Sequence, residues 1–159
     1  MKIQFIWVGK TKSAPIKSLT ADYLERIQRY VSCEAREVRD FSGSRFQRPA
    51  EQIEAESSEI IRHLPKAGYI VALEEIGTQY SSVGFARWLE TVQDSGVREI
   101  VFVIGGPEGL SRNISDRARM VLSLGKMTWT HEMCRALLLE QVYRALCIMR
   151  NVPYHKGDK

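Results

Sequence analysis

Three short segments of the sequence are apolar over almost their whole length, and segments with helical periodicity separate them. The apolar segments are residues 3–8 (IQFIWV), residues 69–73 (YIVAL) and Glu99–Ile104 (EIVFVI). Such runs are typical of strands buried on both faces of a parallel sheet, because a half-exposed strand alternates apolar and polar residues. The alternation of strands and helices predicts one doubly wound α/β domain over residues 1–159. In such sheets a ligand site lies beyond the carboxyl ends of the strands.

Helical periodicity accounts for most of the sequence between the strands. The predicted helices are residues 16–31, a segment containing Ile53 to Leu64, a helix capped by Ser81 or Ser82 that runs to Ser95, and His131–Met149. Weaker strand signals lie at residues 34–38 and at the start of residues 121–131. Residues 41–49 (FSGSRFQRP) are predicted to form a loop that is basic through Arg45 and Arg48.

The net charge of +4 is unevenly distributed along the chain. Residues 1–50 carry ten Lys/Arg against five Asp/Glu, residues 51–116 five against eleven, and residues 117–159 eight against three. Basic ends around an acidic middle favour a shared basic face that contacts a polyanion. The alternative is that the charged residues are scattered over a solvent-exposed surface and form no such face.

Several classes of protein are disfavoured by the sequence. No apolar run approaches the roughly 18 residues that a membrane span requires, and the N-terminus does not resemble a secretory signal. Three widely spaced cysteines fit neither a disulfide framework nor a zinc site. We therefore expect a cytoplasmic protein with no metal and no membrane association.

Two glycine-containing loops follow predicted strands late in the chain. Residues 105–110 (GGPEGL) come directly after Glu99–Ile104, and residues 121–131 (VLSLGKMTWTH) turn at Gly125. The first loop lacks the Gly-Lys-Ser/Thr ending of a phosphate-binding loop. Either loop alone is compatible with a plain turn. Together, at neighbouring strand ends, they predict two walls of one pocket.

The same segments carry a family resemblance. FVIGGPEGL, LSLGKMTWTH, EQVYRA and PYHK, with the opening MKIQFIWVGK and the strand IVALEEIG, resemble the bacterial large-subunit rRNA pseudouridine N3-methyltransferases, the RlmH family of SPOUT methyltransferases. The resemblance covers essentially the whole chain. It implies a single-domain α/β parallel-sheet fold with a C-terminal trefoil knot, S-adenosylmethionine as cofactor, and a homodimer. It implies pseudouridine in the helix 69 stem-loop of 23S rRNA, within the assembled ribosome, as substrate.

The resemblance assigns cofactor binding to residues in three segments. Leu73 and Leu124 are expected to supply apolar walls for adenine, while backbone groups near Gly105 contact its polar edge. The full set is Leu73, Gly105, Leu124, Gly125, Lys126, Met127, Thr128 and Trp129. We expect Gly105→Val to fill ligand space and leave the fold intact. Thr130 stands where the family commonly has proline, and it can cap the last helix instead.

Methylation at N3 of pseudouridine requires loss of the N3 proton, by a general base or with a cation that stabilises the neighbouring oxygen. Within this resemblance, the candidates are Arg135 for a phosphate or base carbonyl, His155 for proton handling and Tyr154 for stacking on the base. Alternatively, residues 154–159 form a disordered tail. We expect this tail to be dispensable for folding. No single general base is assigned.

The final helix, His131–Met149, is expected at a dimer interface because its apolar residues cover more than one narrow stripe. Burial wholly within its own domain is the alternative. Two other functions also stay open: a non-catalytic, ribosome-associated binding module, and a knotted methyltransferase acting on a different rRNA or tRNA uridine. Cofactor binding separates the first from an enzyme, and methyl incorporation into ribosomes or tRNA separates the enzymes.

Overall fold

One five-stranded sheet organises the chain. The structure, a computed structural model, describes residues 1–43, 46 and 48–156. The elements are β1 (Lys2–Val8), α1 (Ala14–Gln28), β2 (Ser32–Val38), α2 (Pro49–His63), β3 (Tyr69–Thr78), α3 (Ser82–Asp94), β4 (Glu99–Ile104), α4 (Arg112–Ser115), β5 (Met120–Leu122) and α5 (His131–Met149).

The strands lie in the order β2-β1-β4-β3-β5, and every pairing is parallel. The three apolar runs form the central strands β1, β4 and β3, which confirms the predicted parallel sheet. Phe5 of β1 faces Phe102 of β4 in register, and their rings stack at 5.4 Å between centroids. β3 continues beyond the predicted end at Leu73 as far as Thr78.

Helices cover both faces of the sheet, as the fully apolar strands require. On one face Phe5 and Phe102 pack in a core with Phe85 of α3 and Leu138 of α5, where α1 also contributes Ile27. On the other face alternate residues of the same strands pack with α2 and with the short α4, which the sequence did not predict. The doubly wound architecture is therefore confirmed.

Much of the apolar surface of α5 is buried by its own domain. Leu138, Leu139, Val142 and Leu146 are fully buried, and the helix packs against both α1 and α3. Met133, Leu137 and Ile148 are only half-buried, so packing within the domain accounts for part of the apolar surface of α5 and a dimer interface there stays a prediction.

The predicted helix starts are largely confirmed. Ser81 caps α3 by accepting a hydrogen bond from the backbone N–H of Gly84 at 3.1 Å. Thr130 caps α5 by accepting one from Met133 N–H at 3.2 Å. A threonine in place of the expected proline thus fixes the start of α5 through its side chain. In the basic loop before α2, Arg45 lies outside the described residues.

Candidate functional site

A cavity of about 710 Å³ opens at the carboxyl edge of the sheet. Its walls come from the ends of β3 and β4, the turn after β4, the loop between β5 and α5, and the first turn of α5. Ile16 of α1 closes one side. The cavity lies where the strand topology predicts a ligand site.

The turn after β4 closes tightly on itself. Gly106 and Gly109 form an antiparallel bridge, with Gly109 N–H donating to Gly106 O at 3.0 Å. A Cβ atom on Gly105 would lie 2.4 Å from the carbonyl oxygen of Gly109. The expectation that Gly105→Val fills ligand space and spares the fold is therefore wrong. Any side chain there collides with the turn itself.

The loop between β5 and α5 is held by the extended end of β3. The buried hydroxyl of Ser123 lies 3.0 Å from the carbonyl oxygens of Glu75 and Gly125. Thr128 donates its hydroxyl hydrogen bond to the Glu75 carboxylate. These contacts position residues that the sequence assigned to the cofactor.

Most of the predicted cofactor residues line the cavity. The lining ones are Leu73, Gly105, Leu124, Gly125, Met127, Thr128 and Trp129. Lys126 is exposed and does not line it. The structure thus brings together segments separated by about fifty residues in the sequence.

The cavity wall is acidic in a chain that is basic overall. Its carboxylates are those of Glu74, Glu75, Glu108 and Glu132, His131 also lines it, and among the described residues no Lys or Arg does. Sequence reasoning missed these carboxylates. Glu74 and Glu75 directly follow the strand predicted at residues 69–73, so the rule that ligands bind at strand ends pointed to them.

Two of these groups have shifted pKa values at the start of α5. Backbone N–H groups of Ser13 and Lys12 donate to Glu132 at 3.1 and 2.6 Å and hold the pKa of its carboxyl below the usual range. Burial, followed by the nearby Arg135 guanidinium, lowers the pKa of His131. At neutral pH the wall therefore carries ionised Glu132 and neutral His131.

Arg135 is not placed where the sequence predicted a contact with RNA. Its side chain is fully buried, and its guanidinium donates to the Val8 carbonyl at 2.6 Å and to the Thr11 hydroxyl at 2.8 Å. The guanidinium also lies 5.3 Å from the centre of the Trp7 ring. Arg135 therefore anchors the loop between β1 and α1 and does not reach a phosphate or a base.

Tyr154 and His155 lie away from the cavity of their own chain. Tyr154 donates to the Glu140 carboxylate at 3.1 Å and packs edge-on against Tyr143 at 4.7 Å. The imidazole Nδ1 of His155 lies 3.3 Å from Arg144. Glu140 is nine residues from His131, about 13 Å along the helix axis. The part of the tail that the structure describes is thus packed on α5, whereas residues 157–159 lie outside the described residues.

Glu140 and Arg144 form an ion pair one turn apart on α5. Burial, and then the hydrogen bond with Tyr23, raises the pKa of Tyr154, so its phenol stays protonated at neutral pH. In the described part of the chain, no group of three or more His, Cys, Asp or Glu is arranged to hold a metal ion. None of the described helices has the length and apolarity that a membrane span requires.

Comparison with known proteins gives consistent results. A family model described as "Predicted SPOUT methyltransferase" matches residues 1–155. A protein of Trichlorobacter lovleyi named "Ribosomal RNA large subunit methyltransferase H" is 41% identical over 155 residues, which cover 98% of this chain and 99% of that protein. The protein of the same name from Geobacter sulfurreducens is 38% identical over 156 residues, with the same coverage.

A solved structure shares the fold at low sequence identity. It is the crystal structure of a probable methyltransferase from Bordetella pertussis Tohama I, with a TM-score of 0.54 and 15% identity. The match covers 91% of this chain and 95% of that one. At this identity the likeness concerns the fold alone.

Proposed function

The chain belongs to the SPOUT methyltransferase family, and we propose that it methylates N3 of a pseudouridine in the helix 69 stem-loop of 23S rRNA, acting on assembled ribosomes. The observation that carries the proposal is the cavity at the carboxyl edge of the sheet, walled by the two loops that hold the family motifs. Relatives named as large-subunit rRNA methyltransferases match along nearly the whole chain and support the choice of RNA. A ribosomal substrate favours a cytoplasmic location.

The cavity lining fits S-adenosylmethionine, the methyl donor that the family implies. Leu73, Ile104 and Leu122 give one end an apolar wall suited to adenine. The carboxylates of Glu74, Glu75 and Glu108 complement a ligand with a sulfonium and an ammonium group. When bound, S-adenosylmethionine supplies a methyl carbon that is electrophilic because it is attached to a positively charged sulfur. We assign cofactor binding to the seven predicted residues that line the cavity.

We propose that the protein acts as a homodimer. Large apolar side chains are exposed on two segments that contact each other: Ile76 (89% exposed) and Tyr80 lie at and after the end of β3, and Met127 (69% exposed) and Trp129 lie in the loop between β5 and α5. The Thr128 hydroxyl donates to the Glu75 carboxylate and so joins the two segments. Exposed apolar clusters of this kind mark interaction surfaces. A second copy at this surface would lie beside the cavity.

In a dimer, Tyr154 and His155 of one copy could contact the substrate at the cavity of the other copy. Within one chain they pack on α5 and do not line the cavity. We propose that the tail of one copy borders the cavity of the other, where protonated Tyr154 stacks on or donates to the base and His155 hydrogen-bonds it. Removal of the N3 proton is not assigned to one residue. This division would make each site dependent on both chains.

We also propose that the C-terminal part is threaded as the trefoil knot of the family. The chain leaves β4 for β5 at the far sheet edge beyond β3, and α5 then returns to pack against α1 and α3. The strand order leaves room for this path, and the proposal is that the returning segment passes through the loop formed by the preceding chain.

Methyl transfer is the direct test. We expect ribosomes from a strain that lacks this protein to accept one methyl group per large subunit from labelled S-adenosylmethionine when the purified protein is added. Mass spectrometry of the digested rRNA should locate the methyl group on a pseudouridine of helix 69. Methylation of another uridine, or of tRNA, would favour the related knotted enzyme. Cofactor binding without methyl transfer to either would favour a binding module.

Mixing two inactive variants tests whether the tail acts across a dimer. We expect a chain truncated after Pro153 and a chain carrying Gly105→Ala to be inactive alone, because each lacks one part of the site. Mixed heterodimers would regain one site from an intact cavity and an intact tail. If activity does not recover although mass spectrometry shows that the chains exchange, the proposal is contradicted.

Removing the packed Tyr154 is also expected to lower the free energy of unfolding by about 1 kcal/mol. This corrects the expectation that the tail is dispensable for folding.

A further inference from the structure

Two loops at the carboxyl edge of the sheet carry exposed positive charge that the proposed chemistry does not use. Residues 9–13 follow β1, and residues 39–43, 46 and 48 are the described part of the segment that follows β2. They contribute Lys10, Lys12, Arg39 and Arg48, all exposed. We call these two segments the basic loops. Because all five strands are parallel, the basic loops lie at the same edge as the cavity.

The basic loops touch each other. A Cβ atom on Gly9 would lie 3.1 Å from Cβ of Asp40, so the two segments are in van der Waals contact. In the second segment Arg39 lies 4.7 Å from the centre of the Phe41 ring, and Phe41 packs against Phe46 at 5.8 Å. The positive charges thus belong to one folded surface and not to two independent tails.

The basic loops also border the cavity. Glu132, which lines the cavity, accepts hydrogen bonds from the backbone of Lys12 and Ser13. Buried Arg135 fixes Val8 and Thr11 at the two ends of the same turn. The Lys12 and Asp40 charges both lie close enough to His131 of the cavity wall to influence its pKa. A ligand that spans both regions would meet the basic loops immediately outside the cavity.

Most of this charge is not neutralised by the protein. No carboxylate of the described residues lies within 4.0 Å of Lys10, Lys12 or Arg39, and Arg48 approaches Glu51 at 3.8 Å only. By contrast, Arg26 and Arg144 on the packed helices α1 and α5 pair with a carboxylate one turn away. Unpaired exposed cations beside a cavity whose own wall is acidic suit a ligand whose anionic part lies outside the cavity.

We propose that the basic loops bind the phosphate backbone of the substrate RNA and so present its target base to the cavity. This inference rests on the proposed function, since it assumes that an RNA is the substrate. Phosphate contacts fix the position and register of an RNA and carry no sequence information. The basic loops therefore determine affinity, while the cavity determines which base reacts.

The experiment compares two triple variants with the same change in charge. The test variant is Lys10→Gln/Lys12→Gln/Arg39→Gln. The control, Lys66→Gln/Arg87→Gln/Arg98→Gln, removes three exposed charges from α3 and the loops that precede β3 and β4. Fluorescence polarisation measures binding of a labelled RNA stem-loop over a salt series, and calorimetry measures the affinity for S-adenosylmethionine. Thermal unfolding checks that both variants are folded.

We expect the test variant to bind RNA at least about tenfold more weakly, with a salt dependence of log K shallower by about 2 to 3, as expected for three lost phosphate contacts. Its affinity for S-adenosylmethionine should equal that of the wild type, and the control should bind both ligands normally. Wild-type RNA affinity in the test variant, or equal loss in the control, would overturn the proposal. Weakened binding to ribosomes but not to the stem-loop would overturn it too, in favour of a ribosomal protein partner.

The two proposals fail in different ways. If the wild type methylates ribosomes and the test variant does so with unchanged KM, the basic loops are not the RNA surface and the proposed function stands. If the wild type methylates no RNA but binds it in a salt-dependent way, and the test variant loses that binding, then the basic loops are the RNA surface and the proposed reaction is wrong.

Discussion

The carboxyl edge of the sheet is divided into two regions of opposite charge. Beyond β3, β4 and β5 lies a cavity with four glutamates in its wall. Beyond β1 and β2 lie the basic loops, with Lys10, Lys12, Arg39 and Arg48. The two regions share one sheet, yet each suits a ligand that the other would repel. Under the proposed function, a cationic cofactor and an anionic RNA are held side by side without competing for one site.

Polar side chains connect these two regions. Glu56 of α2 is 1% exposed and accepts a hydrogen bond from the backbone N–H of Phe41, in a basic loop, at 3.2 Å. It also lies next to the turn that lines the cavity, since a Cβ atom on Gly106 would be 3.1 Å from Oε2 of Glu56. Burial raises the pKa of its carboxyl. Arg135 and Glu132 of α5 attach the other basic loop. Disturbing one region therefore leaves the other intact only if these connections are spared.

The largest effect is expected from Gly105→Ala, which breaks the cavity region alone. The new Cβ would meet the Gly109 backbone at 2.4 Å, so the turn must open. We expect S-adenosylmethionine affinity to fall about 100-fold, equivalent to about 2.7 kcal/mol, and the free energy of unfolding to fall by about 2 kcal/mol. RNA affinity should not change. Calorimetry, polarisation and denaturant unfolding give the three values.

The matched control is Gly109→Ala in the same turn. Its Cβ would meet nothing within 4 Å, although its φ of +86° strains a side chain. We expect the strain alone to lower the free energy of unfolding by about 1 kcal/mol, with a smaller loss of cofactor affinity than in Gly105→Ala. Equal effects at both positions would mean that backbone conformation matters more than the closure of the turn.

The second effect tests the connection between the regions. Arg135→Met removes the donors to the Val8 carbonyl and the Thr11 hydroxyl while keeping a long buried side chain. Because both acceptors would stay buried without a partner, we expect a loss of about 2 to 3 kcal/mol in the free energy of unfolding. A variant of wild-type stability that has lost methyl transfer would restore the catalytic role first predicted for Arg135.

Arg135 also illustrates the limit of the sequence analysis. A charged residue on a helix is normally exposed, and nothing in its spacing distinguishes a buried arginine from one that contacts RNA. Its burial depends on the turn after β1, more than 120 residues away in the chain. By contrast, seven residues that line the cavity could be predicted because they lie in contiguous motifs with a family resemblance.

The fold shows the same difference between local and distant information. The central strands β1 and β4 and the helix α5 match their predicted positions, since burial on both sides leaves an unbroken apolar signal. Edge strand β2 is partly exposed and gave a weaker signal. The end of β3 is polar, and it extends beyond Leu73 because Thr78 also pairs with Leu122 of β5. That pairing partner is invisible to local periodicity.

A smaller effect is expected from Thr128→Val, which loosens the cavity region without a clash. The substitution keeps the shape of the side chain and removes its hydrogen bond to Glu75. We expect S-adenosylmethionine to bind about three- to tenfold more weakly, or about 0.7 to 1.4 kcal/mol. Unfolding free energy and RNA affinity should stay near wild type. Lys126→Gln, beside it on the same loop but outside the cavity lining, is the control that should change none of these values.

The smallest effect concerns His131, which lies at the border of the two regions. Burial and the Arg135 guanidinium lower its pKa in the folded protein, whereas the unfolded chain has a value of about 6.5. Below about pH 6.5 the unfolded state binds the proton more readily than the folded state does. The contribution of His131 to the free energy of unfolding is therefore complete above about pH 6.5, and it is lost as the pH falls through the folded pKa. We therefore expect stability to fall with acidification less in His131→Gln than in the wild type, with no difference between them in pH dependence above pH 7. Proton NMR titration of the imidazole should give a pKa below 6.5. A pKa above that value would mean that His131 is charged near neutral pH and belongs with the basic loops rather than with the cavity wall.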